Sequence, residues 1–178
     1  QHGFSAVSIR DICSQVQIKE SSVYYHFKNK QAIFDELLDR FEKKATDLMY
    51  ILEQALTKQS YTLEECFYQK VCDIFFENYL MDEFCNKVIR LLLIEQFTSN
   101  AVRQIYDHWM YEKPLEYQSK VFTLLINANI IPPSDSDYLA VKYYAPIHLF
   151  AHRWLFCGIL SEDNKSSFRA NAYKHIQN

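Results

Sequence analysis

Glycine occurs only at Gly3 and Gly158 in 178 residues, and proline only four times. A chain so poor in turn formers has few points at which it can punctuate regular structure. Apolar residues recur along it at i, i+3 and i+4, the spacing of one helix face. Together the two features predict an all-α protein. Apolar residues make up 49% of the chain, enough to bury a sizeable core, and nothing in the composition marks disorder. No run of eighteen apolar residues could span a membrane and no signal peptide is recognisable, so the expectation is a cytoplasmic protein without a membrane partner. The five cysteines are odd in number and lack C-x-x-C spacing. Within apolar helical patterns they read as small hydrophobes kept reduced.

Helix starts follow from caps. Ser8 and Asp11 form an S-x-x-D box that opens a short helix to about Gln15. A three-residue break leads to a second, Glu20 to His26. Asn29 suits the N-cap of a long helix from Lys30 to about Leu56. Thr62 to Glu65 caps a helix reaching Leu80, and Asp82 starts another that ends near Phe97. A long helix is expected from Ser99 to Asn129, kinked at Pro114. Ser134 and Asp137 would box a helix to Cys157 with Gly158 at C′, and Ser161 would cap the last one. Gln1 to Phe4 reads as the end of a preceding helix with Gly3 at its C-cap, so one more helix is expected upstream.

Net charge is −3, with no global sign of nucleic-acid binding. The distribution is uneven, since residues 1–34 carry four basic and two acidic side chains and the remainder carries −5. The first two helices share an apolar set, Ile9, Ile12, Cys13, Val16, Ile18, Val23 and Phe27, that suits a helix-turn-helix. Its second helix would meet a DNA major groove. Ser21 and Ser22 lie at that helix's N-terminus, where free N–H groups favour a phosphate. Tyr24, Tyr25 and His26 add reach and hydrogen bonds. Lys28 and Lys30, with Arg10 and Lys19 in the same segment, supply charge for the backbone.

The segment "SIRDICSQVQIKESSVYYHFKNKQAIFDEL" resembles the DNA-binding signature of the TetR/AcrR (tetracycline-repressor) family of bacterial transcriptional regulators. The resemblance lies in Ser8-Ile9-Arg10-Asp11-Ile12, in Ser22 to Phe27, and in Lys28-Asn29-Lys30 followed by Phe34. It implies that Ser8, Ser22, Tyr24, Tyr25, His26 and Lys30 touch phosphates or bases, and that Glu20 and Ser21 read bases. Two positions depart from the family pattern. Gln17 stands where the turn glycine is usual and would need a positive φ, and Lys19 stands where Ser or Thr usually caps the recognition helix. The implied organisation is an incomplete DNA-binding domain over residues 1–45 and an effector-binding and dimerisation body over 46–178. The implied partners are double-stranded palindromic operator DNA, an apolar or aromatic small-molecule effector, and a second copy of the chain. Repression relieved by effector is the expected logic. The competing expectation is a helical interaction scaffold whose helix-turn-helix does not bind DNA.

No catalytic motif or Gly-rich phosphate loop is present, so neither an enzyme nor a cofactor is expected. His148 and His152 are spaced i, i+4 but lack further ligands, and no metal site is expected. Phe67, Phe75, Tyr106, Trp109, Tyr144 and His148 fall on apolar helix stripes, as ordinary core or as the wall of a ligand pocket, with Glu95 as a candidate buried polar anchor. A four-helix dimer bundle is expected from the two C-terminal helices, through Phe150, Ala151, Trp154, Leu155, Phe168 and Ala172. The alternative is that these residues only cap the chain's own core.

Overall fold

The structure, a computed structural model, describes residues 3–58 and 65–177, with side chains for 3–56 and 69–177. The expected cap at Thr62 and the side chain of Phe67 lie outside the described residues. Among the described residues all regular structure is helical: α1 (Ile9–Val16), α2 (Glu20–His26), α3 (Lys30–Lys58), α4 (Glu65–Phe75), α5 (Glu83–Glu95), α6 (Asn100–Asp107), α7 (Lys113–Asn127), α8 (Ser136–Ala151) and α9 (Glu162–Ile176). A 3₁₀ turn, Phe4–Ala6, precedes them. No helix is long and apolar enough to cross a membrane among the described residues.

Local chemistry explains the boundaries. Ser8 Oγ accepts from the Asp11 N–H while Asp11 returns a bond to the Ser8 N–H, closing the N-terminus of α1. Gln17 ends α1 in the left-handed region at φ 57°, with the N–H groups of Gln17 and Ile18 both donating to the Cys13 carbonyl. A side chain there costs about 1 kcal/mol relative to glycine. Asn29 Oδ1 accepts from the Ala32 N–H at the start of α3, and Asn129, also left-handed at φ 58°, closes α7.

Two expected boundaries are corrected. Asp135, not Ser134, caps α8, accepting from the N–H groups of Asp137 and Tyr138. Ser134 Oγ instead donates to the Pro132 carbonyl. Neither glycine has a positive φ. The last turn of α8 continues as a π-helical turn, His152–Phe156, closed by the Cys157 N–H on the His152 carbonyl, so no left-handed Gly158 is needed. Gly3 is likewise no left-handed C-cap. It has φ −70°, and a Cβ there would stand 2.2 Å from Glu95 Oε1, so a larger residue would displace that carboxylate.

Pro114 does not simply kink a long helix. A π-helical turn, His108–Glu112, joins α6 to α7, and the Lys113 N–H reaches back to the His108 carbonyl. The π-helical turn skips one carbonyl and Pro114 has no N–H to offer the next, so together they leave the carbonyls of Trp109 and Met110 without helical donors. Two buried hydroxyls replace them: Tyr79 donates to the Trp109 carbonyl and Tyr144 to the Met110 carbonyl, each at 3.0 Å. A third π-helical turn, Phe76–Leu80, ends α4, and fully buried Asn86 donates to the carbonyls of Leu80 and Leu155. These side chains bind the three widened turns into one centre.

Helix α3 runs unbroken across the expected boundary between residues 45 and 46. From Phe34 onward its buried side belongs to the core of the body, where α7 and α8 pack side by side. It is therefore a rigid strut between the module formed by α1 and α2 and everything that follows.

Candidate nucleic-acid interface

Helices α1 and α2 pack around Ile9, Cys13 and Val23, with Phe27 and Ile33 half-buried against them. This small core leaves one face of α2 in solvent. Ser21, Ser22, Tyr24, Tyr25 and His26 are all exposed there, Tyr25 at 85% and packed edge-on against His26 at 4.9 Å. A tyrosine this exposed contributes nothing to the fold, so its position calls for another explanation. Lys19, the N-cap residue of α2, makes no capping bond through its side chain, which leaves first-turn N–H groups open to an acceptor. Arg10, Lys19, Glu20 and Lys28 are also exposed, and among the described residues none of the three cations is in an ion pair.

The other two expected DNA contacts are placed differently. Ser8 is exposed, but its hydroxyl is engaged in the capping box with Asp11. Half-buried Lys30 points its ammonium into the protein, donating at 2.8 Å to the carbonyls of both Phe4 and Val7 and lying 4.3 Å above the Phe4 ring. It holds the 3₁₀ turn against α3.

Glu95 anchors the same turn from the other side. Its carboxylate accepts from the Ser5 N–H at 3.3 Å, the Ser5 hydroxyl at 3.0 Å and the Thr98 hydroxyl at 3.1 Å. Burial alone would raise its pKa, but these donors outweigh burial and hold it below the ordinary carboxylate value. The buried polar anchor read from "LLLIEQF" is therefore present, joining body to module rather than facing a cavity. Ser5 carried no sequence signal, because its contact with Glu95 spans ninety positions.

The remaining ligand-wall candidates disperse. Phe75 and Tyr144 border a narrow cleft of about 30 Å³ beneath α3. Tyr106 is sealed in the core at 2% exposure. Trp109 donates its indole N–H to Glu42 of α3 at 3.0 Å. His148 packs on Tyr111 and His152, its Nε2 buried without a partner among the described residues, and burial followed by its neighbour His152 holds its pKa below the usual histidine value. A cavity of about 630 Å³ lies elsewhere, between the end of α3 and α4, α7, α8 and α9. Of the expected dimer residues, Ala151, Leu155, Phe168 and Ala172 are at most 1% exposed within the chain's own core, while Phe150 and Trp154 are half-buried at its edge.

Three comparisons agree with this geometry. Residues 1–37 match the family described as bacterial regulatory proteins, tetR family. The chain is 27% identical over 181 residues to the biofilm operon icaADBC HTH-type negative transcriptional regulator IcaR of Staphylococcus aureus strain Newman, covering 97% of this chain and 88% of that protein, and the strain COL protein matches equally. In fold it is similar to a TetR-family regulator structure from Mesorhizobium loti MAFF303099, with TM-score 0.68, 18% identity, and coverage of 98% of this chain and 85% of that one. A helix-turn-helix with an exposed serine- and tyrosine-bearing helix, matching the tetR family over residues 1–37 and borne on a helical body of the same fold as a TetR-family structure, makes the chain similar to TetR-family transcriptional regulators along its length.

Proposed function

We propose that the protein is a repressor whose dimer docks two α2 helices into successive major grooves of a palindromic operator, and that a small molecule bound in the body releases it. The observation that carries this reading is the exposed Ser21-Ser22-x-Tyr24-Tyr25-His26 face, flanked by exposed Arg10, Lys19 and Lys28. Hydroxyls and cations on one projecting helix suit phosphates and base edges. The relatives from Staphylococcus aureus are negative regulators, which supports repression over activation. Half-sites one helical turn apart lie about 34 Å apart, so a small tilt of α3 would spoil simultaneous docking.

The dimer face we assign is the outward row of α8: Tyr138 at 62%, Val141 at 48% and Leu149 at 61% exposed, with exposed Ala145 between them. This row differs from the buried set read from the sequence, because α9 already covers the opposite side of α8. Leu149→Glu should give a folded monomer with weakened operator binding, measured by light scattering and by titration of a palindromic duplex. Operator binding of the wild type should weaken steeply with salt, with a slope of about −0.9 per phosphate contacted. A salt-independent interaction would favour the protein-scaffold reading instead.

A further inference from the structure

We propose that the seat of α8 on the turn joining α6 to α7 is acid-labile through His148, so that the dimer face on the same stretch of α8 loosens as pH falls; the second half rests on the dimer reading above. Two side chains one turn apart make the seat. Tyr144 donates to the Met110 carbonyl at 3.0 Å, and the His148 ring packs on Tyr111 at 4.9 Å. The Nε2 of His148 is buried without a partner among the described residues. A neutral imidazole tolerates that place. A protonated one carries an N–H on both ring nitrogens, so acid would bury a charged donor beside aromatic rings. The neighbours do not repair this. Tyr144 is committed to Met110, and burial holds its phenol, and that of Tyr106 against Tyr111, well above the usual tyrosine value, so both stay neutral. On α6 and its turn the charged groups pair with one another, His108 with Glu112 at 2.8 Å and Arg103 with Asp107 at 3.9 Å. Burial first, and then the like charge of His152 with its ring 6.4 Å away, hold the His148 pKa below the usual 6.5. The Tyr111 ring face attracts a cation, but burial outweighs it.

The segment that carries His148 is set apart from the rest of its helix. Pro146 sits inside α8 and offers no N–H to the Lys142 carbonyl, and the π-helical turn begins at His152. Between these interruptions lie His148 on the seat and Leu149, 61% exposed on the proposed dimer face. Above pH 6.5 the His148 side chain is neutral in the folded and the unfolded chain. As pH falls through that value the unfolded chain takes up a proton that the folded chain refuses, and stability is lost until the lower folded value is reached.

The test compares urea melts of the full chain with those of His148→Gln from about pH 8 to about pH 5. The other titrating groups are common to both, so the difference between the two midpoints isolates His148. The variant should gain on the wild type as pH falls, and a difference that stays constant with pH overturns the seat. If His148→Gln does not fold, His148→Phe takes its place. Ring-proton NMR of the wild type needs no variant: a His148 titration midpoint at or above 6.5 overturns the seat as well. Light scattering at each pH reads the second half. Dissociation of the wild type in acid that His148→Gln resists joins the seat to the dimer face. A widening difference in the melts with an unchanged dimer keeps the seat and overturns that link. A wild type that is monomeric at every pH removes the dimer reading, while the melts still decide the seat.

Discussion

In the N-terminal module three side chains, Ile9, Cys13 and Val23, form the buried core, whereas in the body one cluster runs continuously from Phe34 to Ala172. The module makes up for its thin core with polar ties: Lys30 holds the carbonyls of Phe4 and Val7, and Glu95 holds Ser5. Inside the body, polar groups serve another purpose. Tyr79, Tyr144 and Asn86 satisfy carbonyls that the π-helical turns release, in a core that apolar burial already stabilises. Few apolar contacts mean low local stability. The module can thus be moved by small forces while the body transmits them, a division that suits a regulator read through α3.

The largest effect on stability should come from the body. Phe168 is 0% exposed and packs edge-on against Phe76 at 5.0 Å. Phe168→Ala should lower the unfolding free energy by about 3–5 kcal/mol. Measured by urea melts, a loss below 1 kcal/mol would show that this residue is not core, and would return it to the dimer face expected from sequence.

Next in size are the hydroxyls at the Pro114 break. Tyr144→Phe keeps the ring and leaves the Met110 carbonyl buried without a donor, a loss of about 1–3 kcal/mol. Pro114→Ala restores an N–H to the helix and should soften that loss when combined with Tyr144→Phe. Additive effects in this double-mutant cycle would disconnect the proline from the tyrosine.

The contrast also explains what the sequence made legible. Helix starts with side-chain caps, at Ser8, Asn29, Asp82, Ser99 and Ser161, were readable because a cap is a local bargain between a side chain and N–H groups two or three residues on. The positive φ at Gln17 was readable as a departure from the expected glycine. The π-helical turns were not, because a widened turn is chosen by distant partners such as Tyr79 for the Trp109 carbonyl. The exposure of Tyr24 and Tyr25 was legible, since it follows from the apolar set of a two-helix unit. Which C-terminal residues face outward was not, because one apolar helix can bury either side. The inward tie of Lys30 was not legible for a related reason: its ammonium meets carbonyls more than twenty positions upstream.

Smaller effects are expected at the ties between the two regions. Glu95→Gln keeps the shape and removes the charge that strengthens the bonds from Ser5 and Thr98, worth about 1 kcal/mol locally. Global melting should change little, while amide exchange near Ser5 should quicken and operator affinity should fall. The pH dependence follows from the depressed folded pKa. The carboxylate stabilises the folded state above the ordinary value of 4.5, and that contribution is lost as pH falls from there through the lower folded value. Protection of the amides near Ser5, taken relative to their intrinsic exchange at each pH, should therefore fall in acid in the wild type but not in Glu95→Gln. An acid response that survives the substitution would assign the tie elsewhere.

The smallest stability effect, and the sharpest functional one, belongs to the exposed face. Tyr24 is 53% exposed, and Lys28 is exposed without an ion pair among the described residues. Replacing either by alanine removes no buried area or bond that the fold uses, so unfolding free energy should stay within about 0.5 kcal/mol of wild type. Operator binding should still weaken in both. Lys28→Ala should also lower the slope of log affinity against log salt by about one, the signature of a lost phosphate contact. Tyr24→Ala should leave that slope unchanged, because a neutral side chain releases no counterion. Lys30→Ala makes the contrast complete: its ammonium is spent on Phe4 and Val7, so it should weaken binding by loosening the module, with faster exchange in the Phe4 turn and no change in salt slope. If Lys30→Ala instead lowers the slope by one and leaves exchange alone, its ammonium turns outward to a phosphate on the operator, and the inward tie does not survive binding.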